Sequence, residues 1–238
     1  MAIMTYGCSQ QGGREYNEDC FGIGKQLDRC CVVVADGLGG HGGGHIASRT
    51  AVETILRAHE RTEVASEAWM LTAYMEANRA VLAKQQDGCR MKTTCVSLFI
   101  EGENARWAHL GDSRLYHFKD GRIAFCTSDH SVSQMAVLAG EITRDQIRFH
   151  EDRNRVLRAL GADESIRPDF GDAVLDDGAE HVFLLCTDGF WEYVLEEEMV
   201  RDLARSDTPE EWIALMMGRL RQKASGDNDN YTAAAVFV

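Results

Sequence analysis

One segment of the chain joins a fully apolar stretch to a loop that is almost all glycine. Residues 32–45 read VVVADGLGGHGGGH, with six glycines among the eight positions 37–44. Each glycine loses more conformational freedom on folding than another residue would, so this loop is unfavourable in entropy. A buried strand that ends on Asp36 and continues into such a loop indicates that another group closely approaches its backbone.

A second stretch repeats this pattern. Residues 182–192 read VFLLCTDGFWE, an apolar run followed by Asp188 and a glycine. A carboxylate fixed at a strand end is a rigid ligand, and the glycine lets a cation approach the neighbouring carbonyl. Further acids lie in REYNED (14–19), ahead of the last apolar run in DNDNYTAAAVFV (227–238), and at Asp112, inside an apparent strand where a charge needs a partner. We predict that these acids share one site.

Taken singly, each of these acids is typical of an ordinary turn or a solvated loop. Together they form a set of oxygen ligands without histidine or cysteine, which favours Mg²⁺ or Mn²⁺ over zinc. Pairs of such ions are suited to the hydrolysis of phosphate esters. His41 and His45 mimic half of a zinc site, but no third soft ligand accompanies them.

Composition excludes several classes of protein. The formal net charge is −13 with no basic cluster, so we expect no nucleic-acid partner. The eight cysteines form no C-x-x-C pair and lie mostly in apolar runs, which favours reduced thiols and a cytoplasmic protein. No apolar stretch approaches the length of a membrane span, and MAIMTYGCSQ has no leader-like pattern, so we expect no membrane association.

The order of apolar patterns predicts an α+β fold. Lys-Asp-Gly at 119–121 supplies a tight turn, so residues 106–118 and 121–126 are predicted to pair as a hairpin. Helical spacing predicts two successive helices over 46–59 and 68–82, and Thr208-Pro209 predicts the start of a third. Further strands are predicted where β-branched and large apolar residues run together, at 32–34, 94–100, 182–186 and 233–238. Two prolines in 238 residues and no linker indicate one domain, 1–238.

The chain resembles the metal-dependent protein phosphatases, that is, the type 2C serine/threonine phosphatases of the PPM family. Eight motifs, in the order of the family, carry this resemblance: Arg14-x-x-Asn-Glu-Asp19, Ala35-Asp-Gly-Leu-Gly-Gly-His41, Thr93-Thr94, Gly111-Asp-Ser-Arg114, Ser128-Asp-His-Ser131, Asn154-Arg-Val-Leu-Arg-Ala-Leu-Gly161, Cys186-Thr-Asp-Gly189 and Asp229-Asn230. The second motif and the short chain are similar to the bacterial branch. The resemblance implies a β-sandwich of two mostly antiparallel sheets flanked by pairs of α-helices, with two Mn²⁺ or Mg²⁺ ions at one end.

The resemblance also implies roles for the acids. Asp36 would bridge both ions, the Gly37 carbonyl would bind one of them, and Asp188 and Asp229 would hold the other. Two such ions hold a bridging water, lower its pKa and stabilise charge as the water attacks phosphorus in line, so no covalent phosphoenzyme is needed.

Further ligands are implied around this pair of ions. Glu18 and Asp19 would bind directly or through waters. A weaker third ion would bind Asp112 and Glu192, where the family usually has aspartate at the second position. The alternative for Asp112 is that it braces the strand through hydrogen bonds to Arg114 or to the backbone.

Arg14 is the predicted substrate ligand, because a guanidinium matches phosphate oxygens. The alternative is a surface ion pair with Glu15 or Glu18. The general acid is unassigned, since one branch of the family has a histidine where this chain has Leu38, and a metal-bound water remains an option. His41 is near in sequence, which does not establish hydrogen-bond reach.

Residues 131–150 occupy the position of the flap of the family, and we expect a mobile segment that contributes to substrate choice; a plain helical connection is the alternative.

The predicted function is hydrolysis of phosphoserine and phosphothreonine in proteins that are substrates of a kinase, by a monomer. An inactive scaffold would lack a core acid, and none is missing. A phosphatase for small phospho-metabolites stays open. A P-loop would require Gly-Lys-Ser/Thr where residues 44–46 read Gly-His-Ile.

Overall fold

Two antiparallel sheets of five strands each form the centre of the protein, in a computed structural model that describes residues 2–26, 29–39, 43–62, 64–86 and 90–238. The first sheet has the order β1 (Met4–Gln10), β12 (Tyr231–Phe237), β11 (His181–Cys186), β8 (Arg114–Lys119) and β9 (Arg122–Cys126). The second has the order β10 (Asp169–Val174), β7 (Asn104–Leu110), β6 (Cys95–Glu101), β3 (Arg29–Ala35) and β2 (Cys20–Gln26). A short ladder pairs β4 (Gly37–Leu38) with β5 (Lys92–Thr93). This confirms the predicted α+β sandwich.

The unbroken apolar run of β3 reflects burial on both of its faces. Val32 and Val34 belong to the core between the two sheets. Cys31, Val33 and Ala35 point the other way, into the core beneath the first two helices. A strand covered on both sides has no solvent-facing positions, so its sequence shows no alternation of polar and apolar residues.

Helices cover the outer face of each sheet. The helices α1 (Gly44–Glu60) and α2 (Glu67–Leu82) pack on the second sheet, and α4 (Asp188–Trp191), α5 (Glu196–Leu203) and α6 (Pro209–Lys223) on the first. The Thr208 hydroxyl accepts a hydrogen bond from the Glu211 N–H over 3.2 Å, so the predicted start of the third long helix is confirmed. None of the helices in the described ranges combines the length and apolar character needed to cross a bilayer.

One strand prediction was wrong. Residues 106–118 do not form a single strand, because β7 ends at Leu110 and β8 begins at Arg114 in the other sheet. Gly111 makes the break with φ 105°, and a Cβ there would lie 2.6 Å from Thr94 Cβ. Asp112 therefore lies between the sheets at one edge of the sandwich, and not within a strand. The predicted turn at Asp120-Gly121 is confirmed, with φ of 51° and 70°.

Residues 131–150 contain a short helix α3 (Val132–Leu138), a turn at Gly140 and a 3-10 helix (Arg144–Phe149). Ile147 and Arg148 are buried against the first sheet and its helices, whereas Leu138 and Phe149 are strongly exposed. The segment is therefore held at both its start and its 3-10 helix, by the Ser131 bridge to Val156 and by Ile147, and still leaves large apolar side chains in solvent.

Candidate metal centre

The ends of strands from both sheets meet at one edge of the sandwich and enclose a cleft of ≈ 500 Å³. Asp36 follows β3, Asp188 follows β11, and Asp229 precedes β12. Seven of the nine predicted site residues line the cleft: Arg14, Glu18, Asp36, Gly37, Asp112, Asp188 and Asp229. Asp19 and Glu192 lie outside its lining. The acids that sequence predicted to share one site therefore converge.

The glycines after Asp36 allow three backbone segments to meet. A Cβ on Gly37 would lie 2.2 Å from the Gly44 carbonyl oxygen and 2.6 Å from that of Glu18. A Cβ on Gly44 would lie 2.7 Å from Glu18 Oε1, which accepts a hydrogen bond from the Gly44 N–H over 3.0 Å. Side chains would prevent this approach, which explains the glycines at positions 37 and 44. Gly40, His41 and Gly42 lie outside the described residues. The structure therefore does not test His41 as the general acid.

Asp36 is fixed through its backbone, which leaves its carboxylate free to face the cleft. Its N–H donates to the Thr94 hydroxyl over 3.0 Å, and its carbonyl accepts from the Thr94 N–H over 2.9 Å. Burial and the neighbouring acids, first among them Asp188, raise the pKa of Asp36 well above its usual value.

Asp188 and Asp229 bond to the chain next to them. Asp188 Oδ1 accepts from the Gly189 N–H over 2.7 Å, and Asp229 Oδ1 accepts from the Asn230 N–H over 2.8 Å. Burial raises the pKa of Asp188 to about 7, and the charges of Glu192 and Asp229 add to this effect.

Two buried carboxylate oxygens near the cleft have no hydrogen-bond partner among the described residues, Asp19 Oδ1 and Asp112 Oδ1. Asp19 Oδ2, in contrast, accepts from the hydroxyls of Thr187 and Thr232, over 2.9 and 2.7 Å. Burial raises the pKa of Asp19 to about 7 and that of Asp112 well above its usual value. Orphaned, buried, all-oxygen donors fit hard divalent cations.

The alternative for Asp112 is bracing through hydrogen bonds to Arg114 or to the backbone. The observed pairing contradicts the Arg114 part, whereas a backbone hydrogen bond to the Asp112 carboxyl group opposes the rise of its pKa by burial. Arg114 donates to both carboxylate oxygens of Asp129, from Nε over 2.8 Å and from Nη2 over 2.7 Å. Only the backbone carbonyl of Asp112 is used by a side chain, the Trp191 Nε1–H at 2.9 Å. This leaves the side chain of Asp112 available to the cleft.

Glu192 lies one helical turn after Asp188, and its N–H donates to the Asp188 carbonyl over 2.9 Å. Its Oε1 accepts a hydrogen bond from Arg153 Nε over 2.8 Å. Burial raises the pKa of Glu192, and Arg153 opposes this shift. A cation at this position therefore competes with a guanidinium.

Arg14 forms an ion pair with Asp229, and not with Glu15 or Glu18, the two acids that the sequence suggested. Its Nη2 donates to Asp229 Oδ2 over 2.7 Å, and the side chain is 54% exposed. This contact raises the pKa of Arg14 further. Arg14 is the one basic side chain among the described residues that line the cleft, and only its Nη2 is used by the protein there. Its remaining N–H groups can meet an anion.

Comparison with known proteins identifies the family. The family described as "Protein phosphatase 2C" matches residues 6–229. Protein phosphatase PhpP of Streptococcus pneumoniae is 31% identical over 216 residues, which cover 88% of this chain and 86% of that protein. Serine/threonine phosphatase stp of Listeria innocua is 30% identical over 232 residues, covering 94% and 90%. The chain belongs to the protein phosphatase 2C family.

Solved structures of 2C phosphatases share the whole fold. The Streptococcus agalactiae serine/threonine phosphatase matches with a TM-score of 0.86 and 26% identity, and 100% of each chain is covered. The catalytic domain of the phosphatase PstP, in complex with two manganese ions, matches with a TM-score of 0.84 and 26% identity, covering 99% of this chain and 98% of that one. The family is metal-dependent, and the expected bacterial branch is confirmed.

Sequence reasoning missed the roles of two residues that line this 2C-phosphatase cleft and of one residue beside it. Asn154 and Asn230 line it, and Arg153 binds Glu192 from the adjacent position. Asn154 and Asn230 belong to motifs that carried the family resemblance, but the sequence indicated no role for either side chain. Nothing in the local sequence distinguishes Arg153 from the nearby exposed Arg155.

A second group, outside the cleft, brings His109, His130 and Asp169 within 4.8 Å of one another. His109 Nε2 donates to the Ser128 carbonyl over 2.8 Å, which leaves the Nδ1 lone pair free. His130 Nδ1 accepts from the Gly111 N–H over 3.1 Å, so His130 Nε2 carries the proton. A metal needs the lone pair at that nitrogen, and this bonding does not fit a three-ligand metal site.

Proposed function

We propose that this 2C phosphatase hydrolyses phosphoserine and phosphothreonine in proteins, with two Mn²⁺ or Mg²⁺ ions held in the cleft. The observation that carries the proposal is the convergence of oxygen-only donors on the cleft, with the orphaned Asp112 Oδ1 among them, opposite the one arginine among the described residues that line it. Hard cations satisfy such donors, and a guanidinium matches a phosphate dianion.

The proposed ion ligands are the carboxylate of Asp36 between two ions, the Gly37 carbonyl on one of them, and Asp188 and Asp229 on the other. Glu18 and Asp19 bind directly or through water. When bound, such ions lower the pKa of water and offset the charge that develops on a phosphoryl group. The high pKa of Asp36 and Asp188 supports this assignment, since buried like charges that repel one another gain most from a cation.

Arg14 binds and orients the substrate phosphate in this proposal. Its Nη2 is held by Asp229, and its other N–H groups face a cleft with no other basic side chain among the described residues. A fixed guanidinium beside the carboxylates can place the phosphorus atom opposite the ions.

A weaker third ion is proposed at Asp112, with Glu192 as its second acid. The orphaned Asp112 Oδ1 supports this site, whereas the ion pair of Glu192 with Arg153 weakens it. We expect occupancy only at high metal concentration.

The residue that protonates the leaving group is left unassigned. Leu38 lines the cleft and cannot donate a proton. Apart from Arg14 and the proposed ion ligands, Glu15 and Tyr16 are the described lining side chains able to carry a proton. A water on the ions is the remaining source.

Residues 131–150 are proposed as a flap that contributes to substrate choice, within a single domain that spans 1–238. The exposed Leu138 and Phe149 support this, because large apolar side chains in solvent favour contact with a partner. Kinase-phosphorylated proteins are the proposed substrates, and the enzyme is proposed to work as a cytoplasmic monomer without a nucleic-acid or membrane partner.

Turnover of a phosphothreonine peptide, compared with a panel of sugar phosphates in the same Mn²⁺ buffer, tests the proposal. We expect the peptide to give the higher kcat/KM. Preference for a sugar phosphate would indicate a phosphatase for small metabolites. No turnover of either class, with metal bound, would indicate an inactive scaffold of the same fold.

A further inference from the structure

The carboxamide of Asn230 is the junction between the last strand and the segment that carries Arg14. Asn230 is buried, with 6% exposure. Its Nδ2 donates to two carbonyls, those of Gln11 over 2.7 Å and Tyr16 over 2.9 Å. Its Oδ1 accepts from the Glu18 N–H over 2.8 Å. The amide thus bonds to this segment at three points, through both kinds of polar group it possesses.

Arg14 lies between two of these points. Gln11 closes the loop around it, because Gln11 Nε2 donates to the carbonyls of Arg14 and Glu15 over 2.6 and 3.0 Å. The Gly13 N–H donates to the Asn228 carbonyl over 2.8 Å. The Arg14 side chain itself is half exposed, so packing does not fix it, and its position depends on its ion pair with Asp229 and on how firmly this backbone is held.

The other side of Asn230 faces the metal-binding acids. A Cβ on Gly189, next to Asp188, would lie 2.0 Å from the Asn230 carbonyl oxygen. The Asn230 N–H donates to Asp229 Oδ1 over 2.8 Å. One buried residue therefore touches the segments that present Arg14, Asp188 and Asp229.

We propose that Asn230 is a positioning residue that holds Arg14 at a fixed place relative to the metal-binding carboxylates. This proposal rests on the proposed role of Arg14 as the phosphate ligand. Only a carboxamide suits the position: a carboxylate would face two carbonyl oxygens, and an apolar side chain would leave three backbone groups without partners. With either substitution the segment from Gln11 to Glu18 loses the hydrogen bonds of Asn230, and the Arg14 guanidinium loses its fixed orientation.

Asn78 provides a matched control in the same chain. It is also buried, and it also makes three bonds from one amide to a loop: Nδ2 to the carbonyls of Asp163 (2.8 Å) and Glu164 (3.3 Å), and Oδ1 from the Gly161 N–H (2.7 Å). Asn78 does not line the cleft. Asn78→Ala therefore removes equivalent hydrogen bonds without touching the Arg14 segment.

The test compares wild type, Asn230→Ala, Asn78→Ala, Arg14→Ala and the double variant Arg14→Ala/Asn230→Ala at saturating Mn²⁺. Inorganic phosphate is used as a competitive inhibitor of a small aryl phosphate, and Tm and Mn²⁺ affinity are measured in parallel. We expect Asn230→Ala to raise the inhibition constant of phosphate about tenfold or more, since a misplaced group loses most of its effect. Asn78→Ala should lower Tm and leave that constant unchanged.

The double variant decides whether Asn230 acts through Arg14. If it does, phosphate binds the double variant about as weakly as Arg14→Ala alone. If the inhibition constant of the double variant instead rises by the product of the two single effects, the residues act independently and the proposal is overturned. A wild-type inhibition constant in Asn230→Ala would also overturn it, whether or not Mn²⁺ affinity is lost. If Asn230→Ala does not fold, Asn230→Ser replaces it. Failure of the proposed function would show separately, as a wild type that binds Mn²⁺ but turns over neither the aryl phosphate nor a phosphothreonine peptide.

Discussion

Arg153 Nε lies 2.8 Å from Glu192 Oε1, and this ion pair joins the chain just after the proposed flap to the helical turn that begins at Asp188. The pair is partly exposed, with side-chain exposures of 36% and 16%, so its own contribution to stability is small. Its effect should instead be seen in metal binding beside the cleft, because the guanidinium bonds to the Glu192 carboxylate that a cation could use.

Arg153→Ala should therefore strengthen binding of the weak third ion. Removal of the competing positive charge leaves Glu192 free, and we expect the Mn²⁺ concentration for half-saturation of that site to fall several-fold. Calorimetric titration with Mn²⁺ measures this change, with Arg155→Ala, a neighbouring exposed arginine, as the control. An unchanged or weaker third site in Arg153→Ala would show that Glu192 does not bind an ion.

Asp112→Asn should leave the two tight ions bound and reduce turnover well below wild type. Because Asp112 Oδ1 is buried without a partner, the same change should raise the Tm of the metal-free protein. Metal titration, kcat and thermal melting are measured on one preparation. A lower Tm with near-normal turnover at saturating Mn²⁺ would instead assign Asp112 a bracing role.

The metal-free protein should lose stability as the pH rises. Burial raises the pKa of Asp19 and Asp188 from 3.8 to about 7 in the folded state, so the folded state holds protons that the unfolded state releases. The contribution of these two groups to the free energy of unfolding is therefore largest at low pH and is lost between about pH 4 and pH 7. We expect Tm in EDTA to fall from about pH 5 to about pH 7, and Mn²⁺ to reverse this fall. A Tm in EDTA that rises over this range would contradict the raised values.

Arg14→Ala should raise KM for a phosphopeptide about tenfold or more, because a charge-assisted hydrogen bond to phosphate is lost. The kcat for a small activated aryl phosphate should change less, since Arg14 binds the substrate and takes no part in departure of the leaving group. Arg57→Ala, which removes an exposed arginine on α1, is the control. An unchanged KM would show that Arg14 forms its ion pair with Asp229 but does not bind the substrate phosphate.

The elements with strong local signals were predictable from sequence. Periodicity located both long helices on the second sheet, and the Thr208 cap located the start of α6. The repeated pattern of an apolar run followed by Asp-Gly was sufficient to predict that Asp36 and Asp188 lie close together, because strand ends of a sandwich meet at a shared edge. Local sequence determines such features directly.

Contacts that depend on three-dimensional proximity were not predictable. Arg14 pairs with an acid 215 residues away, and the sequence offered Glu15 and Glu18 as nearer candidates. The polar residues Asp112, Ser113 and Arg114 interrupt the apolar pattern after Gly111, but this interruption alone does not show that the chain changes sheets there. The partners of Asn230 and of Glu192 likewise follow from the packing of distant segments.

In the proposed function, an oxygen-only metal centre with Asp36 between its ions makes this chain a phosphatase. The most direct measurement is phosphate release from a phosphothreonine peptide as a function of Mn²⁺ concentration, for wild type, Asp36→Asn and the exposed control Glu53→Gln. We predict no release in EDTA, restoration by Mn²⁺ in wild type and Glu53→Gln, and a loss of about a hundredfold or more in Asp36→Asn, since even partners of metal ligands contribute about 10- to 100-fold. Full turnover in EDTA, or wild-type turnover in Asp36→Asn, would contradict this account.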